Sequence, residues 1–446
     1  MKISAAVIVR NEEAMLAGCL KSLLPLADEL VVVDTGSDDR TVAIALEFTP
    51  HVYSFEWQDD FALARNYSLE MATGDYVLVA DADHRVVHPA AARGLLEDFA
   101  RAHSPNTLGT VIILSGVRDG DHTIEEASAS PKFFRRGRFT FQGAIHEQLV
   151  PVEGEALQAP TGLQYLHSGY EDRDALLARI DRNRRILSRE LERHPDDEYY
   201  LYQLGKADFC RKEYNGAVRA FEKSLASMTF SGAALPTGTN GRPVSEDMLI
   251  DLLTCLAYAC ANLERYREAC DLLERHRAMG HPATRWADFP HALGYLYLML
   301  GDVPRAREAF LSAVQTGSRR ELVRGTGGFS AFYHLGLLAE AEGNIGAALG
   351  NYLQSLQARP DYTTAISRCV DLVTERRAAL PPEIWEAADV ETLVTVYVKR
   401  LVKHLGAGER DHALMLLAAA KATAPGLLEA CSAALQQIKT VVDNEA

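Results

Sequence analysis

The feature that most restricts what this 446-residue chain can fold into is a spacing that recurs four times in its second half. A small residue is followed twelve positions later by another small residue, and four positions after that by an aromatic or Leu. The four members are Leu204-Gly205 with Ala217 and Phe221, Leu256-Ala257 with Ala269 and Leu273, Leu293-Gly294 with Ala306 and Phe310, and Leu335-Gly336 with Ala348 and Tyr352. Gly holds the contact position in the first, third and fourth. The fourth ends in Pro360, and a degenerate fifth includes Ala413, Leu417 and Pro425. Small residues at helix contacts predict an all-helical second half, either a repeat array or an ordinary bundle.

These spacings resemble the tetratricopeptide repeat, in which small residues let two antiparallel helices pack closely while the aromatic fills the gap to the next pair. The intervals are irregular, so insertions are expected. Phe230 to Glu246, rich in Gly, Ser, Pro and Thr, reads as a loop, and Thr316 to Ser330, with Arg319, Arg320 and Arg324, as a mobile basic one.

The first half has another character. Short apolar runs alternate with amphipathic stretches, as in a mainly parallel α/β sheet, with strands expected at Ile3 to Val9, Leu30 to Val33, Val52 to Phe55, Tyr76 to Ala80 and Thr110 to Leu114. From Glu171 the period turns helical, Leu176, Ile180, Leu187 and Leu191 marking one apolar side of a helix closed by His194-Pro195. The expected organisation is an α/β domain over 1–170, a linker helix over 171–198 and a helical repeat domain over 199–446.

A net charge of -15 and a pI near 5.4 argue against nucleic acid and anionic membranes as partners. The seven cysteines are odd in number and never spaced C-x-x-C, as expected of free thiols in a reducing compartment. The apolar run after Met1-Lys2 is short for a signal peptide, and no stretch approaches the roughly 20 apolar residues that span a bilayer. A cytoplasmic protein without stable membrane insertion is expected.

Chemistry gathers at strand ends. Leu30 to Val33 delivers Asp34 at a carboxyl end, where open parallel sheets collect ligands, so Asp34 is positioned for a base or ribose; Ser37 or Asp38 of the turn after it serves as a helix cap. The buried run Tyr76 to Ala80 stops at Asp81-Ala82-Asp83-His84. Strand alternation sends Asp81 and Asp83 to one side, where hard oxygen ligands suit Mg²⁺ or Mn²⁺ bridging a diphosphate. Such an ion stabilises the leaving group when a sugar–diphosphate bond breaks. Arg65, in a helix opened by Asp59-Asp60, can reach a phosphate or pair with one of these acids.

The series Arg10-Asn11-Glu12, Val33-Asp34-Thr35-Gly36-Ser37, Ala64-Arg65-Asn66, Gly74-Asp75-Tyr76 and Asp81-Ala82-Asp83 resembles glycosyltransferase family 2, inverting enzymes of the GT-A fold, over roughly the first 170 residues. Two later motifs, Pro131-Lys132-Phe133-Phe134-Arg135-Arg136 leading to Gly143-Ala144-Ile145-His146-Glu147, and Leu166-His167-Ser168-Gly169-Tyr170, are similar to a subgroup with C-terminal tetratricopeptide repeats. That subgroup includes peptide S-glycosyltransferases of bacteriocin clusters and flagellin-modifying enzymes.

The resemblance implies a nucleotide-sugar donor, a UDP-sugar above all, held by Arg10, Glu12, Asp34, Arg65 and Asp81. It implies Mn²⁺ or Mg²⁺ at Asp83 and His167, and a protein or peptide acceptor such as flagellin. His84 stands where many relatives carry a second acid, which bears on metal choice. An acceptor hydroxyl or thiol must lose its proton as it attacks, and Glu147 and His146 are the two candidates for that base.

Other readings remain open: an inactive scaffold whose repeats assemble partners or a homodimer, or a transferase acting on a glycan or lipid-linked acceptor. A sugar nucleotidyltransferase would carry a Gly-rich basic loop after the first strand, where Arg10-Asn11-Glu12-Glu13 stands instead. His146-Glu147-Gln148-Leu149-Val150 is not the zinc-protease motif.

Overall fold

Strand β1 (Ile3–Val9) is buried at all but one of its positions, which requires a central place in a sheet covered on both faces. It pairs in parallel with β2 (Glu29–Asp34) on one side and β4 (Tyr76–Asp81) on the other, and β3 (Val52–Ser54) extends the sheet beyond β2. Alternation divides the interior in two. Ile3, Ala5, Val7 and Val9 join Leu78 and Ala80 in a core closed by α1 (Leu16–Leu23) and α4 (Pro89–Ala102), whereas Ala6, Val31, Val33, Val77 and Val79 face Phe134, Phe139 and Phe141.

The computed structural model describes residues 1–119, 122–167, 173–241, 243–423, 426–427 and 429–431. It forms two compact units, Met1–Pro195 and Asp196–Ala446. In the first unit the strand order is β3-β2-β1-β4-β7-β6-β10-β5, with β5 (His84–Val86), β6 (Thr107–Asp119), β7 (His122–Arg135) and β10 (Leu157–His167). Beyond β4 the sheet departs from the expected parallel arrangement, since β4–β7 and β7–β6 are antiparallel while β6–β10 is parallel. A separate antiparallel pair is formed by β8 (Phe139–Gln142) and β9 (Gln148–Pro151). Helices α2 (Thr41–Phe48) and α3 (Phe61–Met71) follow β2 and β3, and α5 (Arg173–Arg193), the segment expected as a linker, closes this unit.

The expected strands are all present. The segment Arg118 to Pro131, whose polar sequence reads as a loop, instead pairs through its described residues, 118–119 and 122–131, in a β6–β7 ladder from Thr110↔Pro131 to Asp119↔His122. Antiparallel pairing satisfies the backbone without an apolar run, so apolarity alone misses it.

The second unit begins with four helical hairpins: α6 (Glu198–Cys210) with α7 (Tyr214–Ala226), α8 (Glu246–Asn262) with α9 (Tyr266–Met279), α10 (Asp288–Met299) with α11 (Val303–Thr316), and α12 (Phe329–Ala341) with α13 (Ile345–Ala358). Their glycines mark close approach. A Cβ added to Gly205 would stand 2.5 Å from the Phe221 ring and one on Gly294 would stand 2.8 Å from Phe310, while one on Gly336 would collide with Tyr352 more severely. In the second hairpin Ala257 and Ala269 take the contact, both fully buried. These are tetratricopeptide-type hairpins.

After them come α14 (Thr363–Glu375), α15 (Pro382–Ala387), α16 (Val390–Gly406) and α17 (Arg410–Thr423). In the last pair Ala413 is buried, but the adjoining core contact is Leu416 rather than Leu417, which is 40 % exposed. Pro425 lies outside the described residues.

The Thr316 to Ser330 connection is pinned, contrary to the expectation of a mobile loop. Asp288 accepts the Leu322 and Val323 amides at 2.8 Å each, and Glu321 accepts Gly327 N at 2.9 Å. Among the described residues no helix is long and apolar enough to cross a membrane.

Candidate active site

In the order β3-β2-β1-β4 the chain winds away from β1 in two directions, so the connections leaving β1 and β4 part and leave a crevice at their carboxyl ends. A cleft of about 700 Å³ lies there, lined by Arg10 and Glu12 after β1, Thr35 after β2, Arg65 on α3, and Asp81 and Asp83 after β4.

The loops after β1 and β2 brace each other. Asn11 adopts a left-handed backbone (φ 56°), its amide donates to Ser37 Oγ at 2.9 Å, and its side-chain oxygen accepts Asp38 N at 2.9 Å. Glu12 N donates to Thr41 Oγ1 at 2.7 Å, and Glu13 accepts Arg40 N at 3.1 Å. The Arg-Asn-Glu motif therefore fixes the loop through Asn11 and leaves Arg10 and Glu12 on the cleft. Asp34 is buried and accepts the amides of Gly36 and Ser37 at 3.2 Å; its neighbour Thr35 supplies the lining. Neither Ser37 nor Asp38 caps α2. Asp39 accepts the amide of Thr41 at 2.8 Å instead.

Asp81 and Asp83 reach the cleft by a different route from strand alternation. β4 ends at Asp81, and Ala82-Asp83 is a turn into β5. Their surroundings differ. Asp81 is bridged by Arg65 and, at 3.0 Å, by Lys132 Nζ. Burial alone would raise its pKa, but Lys132 and Arg65 hold it well below the usual carboxylate range. Asp83 meets His167 Nε2 at 2.9 Å; burial raises the Asp83 pKa, but this hydrogen bond together with the imidazoles of His84 and His167 holds it below the usual carboxylate range, and the same hydrogen bond raises His167.

Between the two acids stands His84, whose Nδ1 accepts the Asp81 amide at 3.3 Å and whose Nε2 lies 3.9 Å from Asp83. Nδ1 also lies 3.4 Å from the Asp81 carboxylate. Burial depresses the His84 pKa, so a neutral imidazole stands in the place of a second acid.

Arg65 links this acid pair to the expected base. Asp60 caps α3 by accepting Leu63 N at 2.9 Å, placing Arg65 in the second turn with its side chain buried. Its Nη2 pairs with Asp81 and its Nε with Glu147 at 3.1 Å, while Nη1 is buried without a hydrogen-bond partner among the described residues. Both acids raise the Arg65 pKa against the effect of burial.

The next residue explains the motif. Asn66 Nδ2 donates to Phe141 O at 2.9 Å and its Oδ1 accepts Phe141 N at 2.8 Å, while Phe61 N donates to Ala144 O at 2.8 Å. The loop from β8 to β9 is thereby clamped with Glu147 against Arg65. His146, beside it, is exposed with a left-handed backbone (φ 53°), and the segment is a bend between strands. Glu147 Oε2 has no hydrogen-bond partner among the described residues.

Gly74-Asp75-Tyr76 lies at the opposite end of β4. Gly74 N donates to Ser4 Oγ and Asp75 accepts Lys2 N, both at 2.8 Å, so this motif ties together the amino-terminal ends of β1 and β4. Lys132 was visible only as part of a motif, because its role depends on β7 pairing beside β4 (Leu78↔Phe133). Residues 168–170 of the last motif lie outside the described residues. A further His/Glu group, His404, Glu409 and His412, lies in the second unit with Glu409 between the two imidazoles at 2.6 and 3.3 Å.

Residues 4–148 match the model of the family described as glycosyl transferase family 2. A TPR repeat-containing protein of Synechococcus elongatus is 35% identical over 216 residues, 46% of this chain and 51% of that protein. The prophage-derived glycosyltransferase SunS of Bacillus subtilis is 25% identical over 228 residues, 50% of this chain and 53% of SunS. The lipopolysaccharide core biosynthesis glycosyltransferase LpsC of Rhizobium meliloti is 31% identical over 172 residues, 36% of this chain and 62% of LpsC. The chain thus spans about half the length of the first two relatives. With an α/β sheet, a cleft at its switch point and close-packed helical hairpins behind the match, the chain carries a glycosyl transferase family 2 domain followed by tetratricopeptide repeats.

Proposed function

We propose that this protein is an inverting, metal-dependent glycosyltransferase that moves a sugar from a nucleotide sugar, a UDP-sugar first among them, to a Ser, Thr or Cys side chain of a protein or peptide. Flagellin is the leading acceptor. The observation that carries the reading is the unequal treatment of two acids in one cleft: Asp81 is tied to Arg65 and Lys132, whereas Asp83 faces the imidazoles of His84 and His167. Asp83 and His167 form a mixed oxygen–nitrogen donor pair, which suits Mn²⁺ better than Mg²⁺. When bound there the cation supplies Lewis-acid stabilisation of the departing diphosphate.

The remaining work belongs to the chain. Arg65 turns its unbonded Nη1 to the developing negative charge, with Asp81 and Glu147 fixing its plane. Glu147, anchored through Oε1, takes the acceptor proton on Oε2 as the nucleophile attacks the anomeric carbon opposite the leaving group. His146, exposed, is the second candidate. Arg10 and Glu12 contact the donor, and Asp34 holds the turn that presents Thr35. A peptide acceptor is supported by the motif resemblance. The likeness to LpsC, named for lipopolysaccharide core biosynthesis, favours a glycan acceptor as a second reading.

The test is nucleotide release from a panel of nucleotide sugars with Mn²⁺, with mass spectrometry of coexpressed flagellin, small peptides and glycans. Asp83→Ala should abolish release, and Glu147→Gln should lower kcat about 10²- to 10⁴-fold while nucleotide binding persists. No release with any donor and acceptor would sink the reading.

A further inference from the structure

Helix α5 carries Arg179, Arg182, Arg185 and Arg189, which at about 100° per residue share roughly a 120° arc. Two of them meet the cleft: Arg179 and Arg182 line it together with Ala178. Arg182 lies 5.0 Å over the ring of Phe61, which packs edge-on against Trp57 at 4.8 Å, and both aromatics line the same cleft. The other two arginines meet one carboxylate. Asp59 accepts Arg185 Nη2 at 2.8 Å and lies 3.5 Å from Arg189 Nη1. Its Oδ1 also accepts Trp57 Nε1 at 2.9 Å.

Asp59 is held in a left-handed backbone (φ 57°), a conformation a non-Gly residue keeps only when its surroundings fix it. Here the surroundings are two guanidiniums and an indole. Asp59 itself does not line the cleft.

The charge distribution identifies what the α5 side of the cleft can take. The carboxyl ends of β1 and β4 present the acids Glu12, Asp81 and Asp83 beside Arg10 and Arg65, while α5 adds only cations, Arg179 and Arg182. An anion held by a metal at these acids would meet the guanidiniums of Arg179 and Arg182, whose planar forks match phosphate oxygens. Resting on the glycosyltransferase reading, we propose that α5 forms a roof over the nucleotide site, that Arg179 and Arg182 contact the diphosphate of a nucleoside diphosphate, and that Asp59 is the positioning residue that holds this roof through Arg185 and Arg189.

The experiment is calorimetric titration of the full chain with UDP, GDP, dTDP and CMP in the presence of Mn²⁺, with Mn²⁺ binding measured separately. Arg179→Ala and Arg182→Ala should each raise the nucleotide Kd roughly tenfold, as expected for one lost charge-assisted hydrogen bond. Asp59→Asn should raise it about three- to tenfold without changing Mn²⁺ affinity or the melting profile, and Asp59→Lys combined with Arg185→Glu and Arg189→Glu should restore it.

Wild-type affinity in both arginine variants would overturn the roof. Weakening by those variants but not by Asp59→Asn would overturn the latch. Wild-type protein that binds none of the four nucleotides would overturn the donor reading itself.

Discussion

At the scale of single residues, Arg65 explains why so few side chains organise the cleft. A guanidinium presents separate edges, and here one edge meets Asp81 while another meets Glu147 inside a buried site. Lysine offers one ammonium and cannot reproduce that geometry. Removing the charge leaves Glu147 without its ionic partner and Asp81 with Lys132 in place of two cations. Arg65→Met should therefore destabilise the first unit by about 3–5 kcal/mol, read as a shift in the denaturant midpoint followed by Trp57 fluorescence. A midpoint within about 0.5 kcal/mol of wild type would show that Arg65 is not a keystone of the unit. His84 is complementary: burial keeps it neutral at a position where a carboxylate would have put a third acid beside Asp81 and Asp83.

At the scale of elements, the helical hairpins are set by missing side chains. Gly336 lies so close to the Tyr352 ring that an added methyl forces α12 and α13 apart or displaces a fully buried aromatic. Alanine is otherwise the better helix former by about 1 kcal/mol, so the outcome measures packing against propensity. Gly336→Ala should lower stability by about 1–3 kcal/mol net, because overpacking dominates in a filled core. Gly350, in α13 with nothing within 4 Å of its added Cβ, is the control, and Gly350→Ala should be neutral or stabilising by up to about 1 kcal/mol. Thermal melts of both variants decide the matter, and equal shifts would show that close approach is not what glycine supplies. The same scale accounts for the pinned 316–330 connection: its backbone amides find acceptors in Asp288 and Glu321, which no local composition rule anticipates.

At the scale of the molecule, the two units should respond differently to acid. In the second, burial pushes His276 down to about 4 and His291 to about 3 from their ordinary 6.5. His276 packs against Phe230 and His281, with Nδ1 lacking a hydrogen-bond partner among the described residues, and His291 lies against Phe310 and His334. The unfolded chain binds these protons near pH 6.5 and the folded unit refuses them. Stability present above pH 6.5 is therefore lost as pH falls toward 4, by up to about 1.4 kcal/mol per pH unit for each imidazole. In the first unit Asp81 and Asp83 stay ionised below the usual carboxylate range, and the depressed His84 is countered by the raised His167, so its stability changes less over that window. Calorimetry between pH 7 and pH 4.5 should show the transition of the second unit moving down first, with the slope reduced in His276→Phe; a transition independent of pH would refute this.

The sequence by itself determined the α/β first half, the strands about β1, the four hairpins with their contact glycines and alanines, and the acids at the end of β4, because each rests on local periodicity or on a motif within a few residues. Only the tertiary structure decided that a polar stretch pairs as the β6–β7 ladder, that Lys132 and Arg65 share Asp81, that Asp34 turns to its own loop, and that α5 brings arginines to the cleft. Those outcomes depend on which distant backbone lies alongside and on which charges must be compensated once water is excluded, and neither is encoded in any local window.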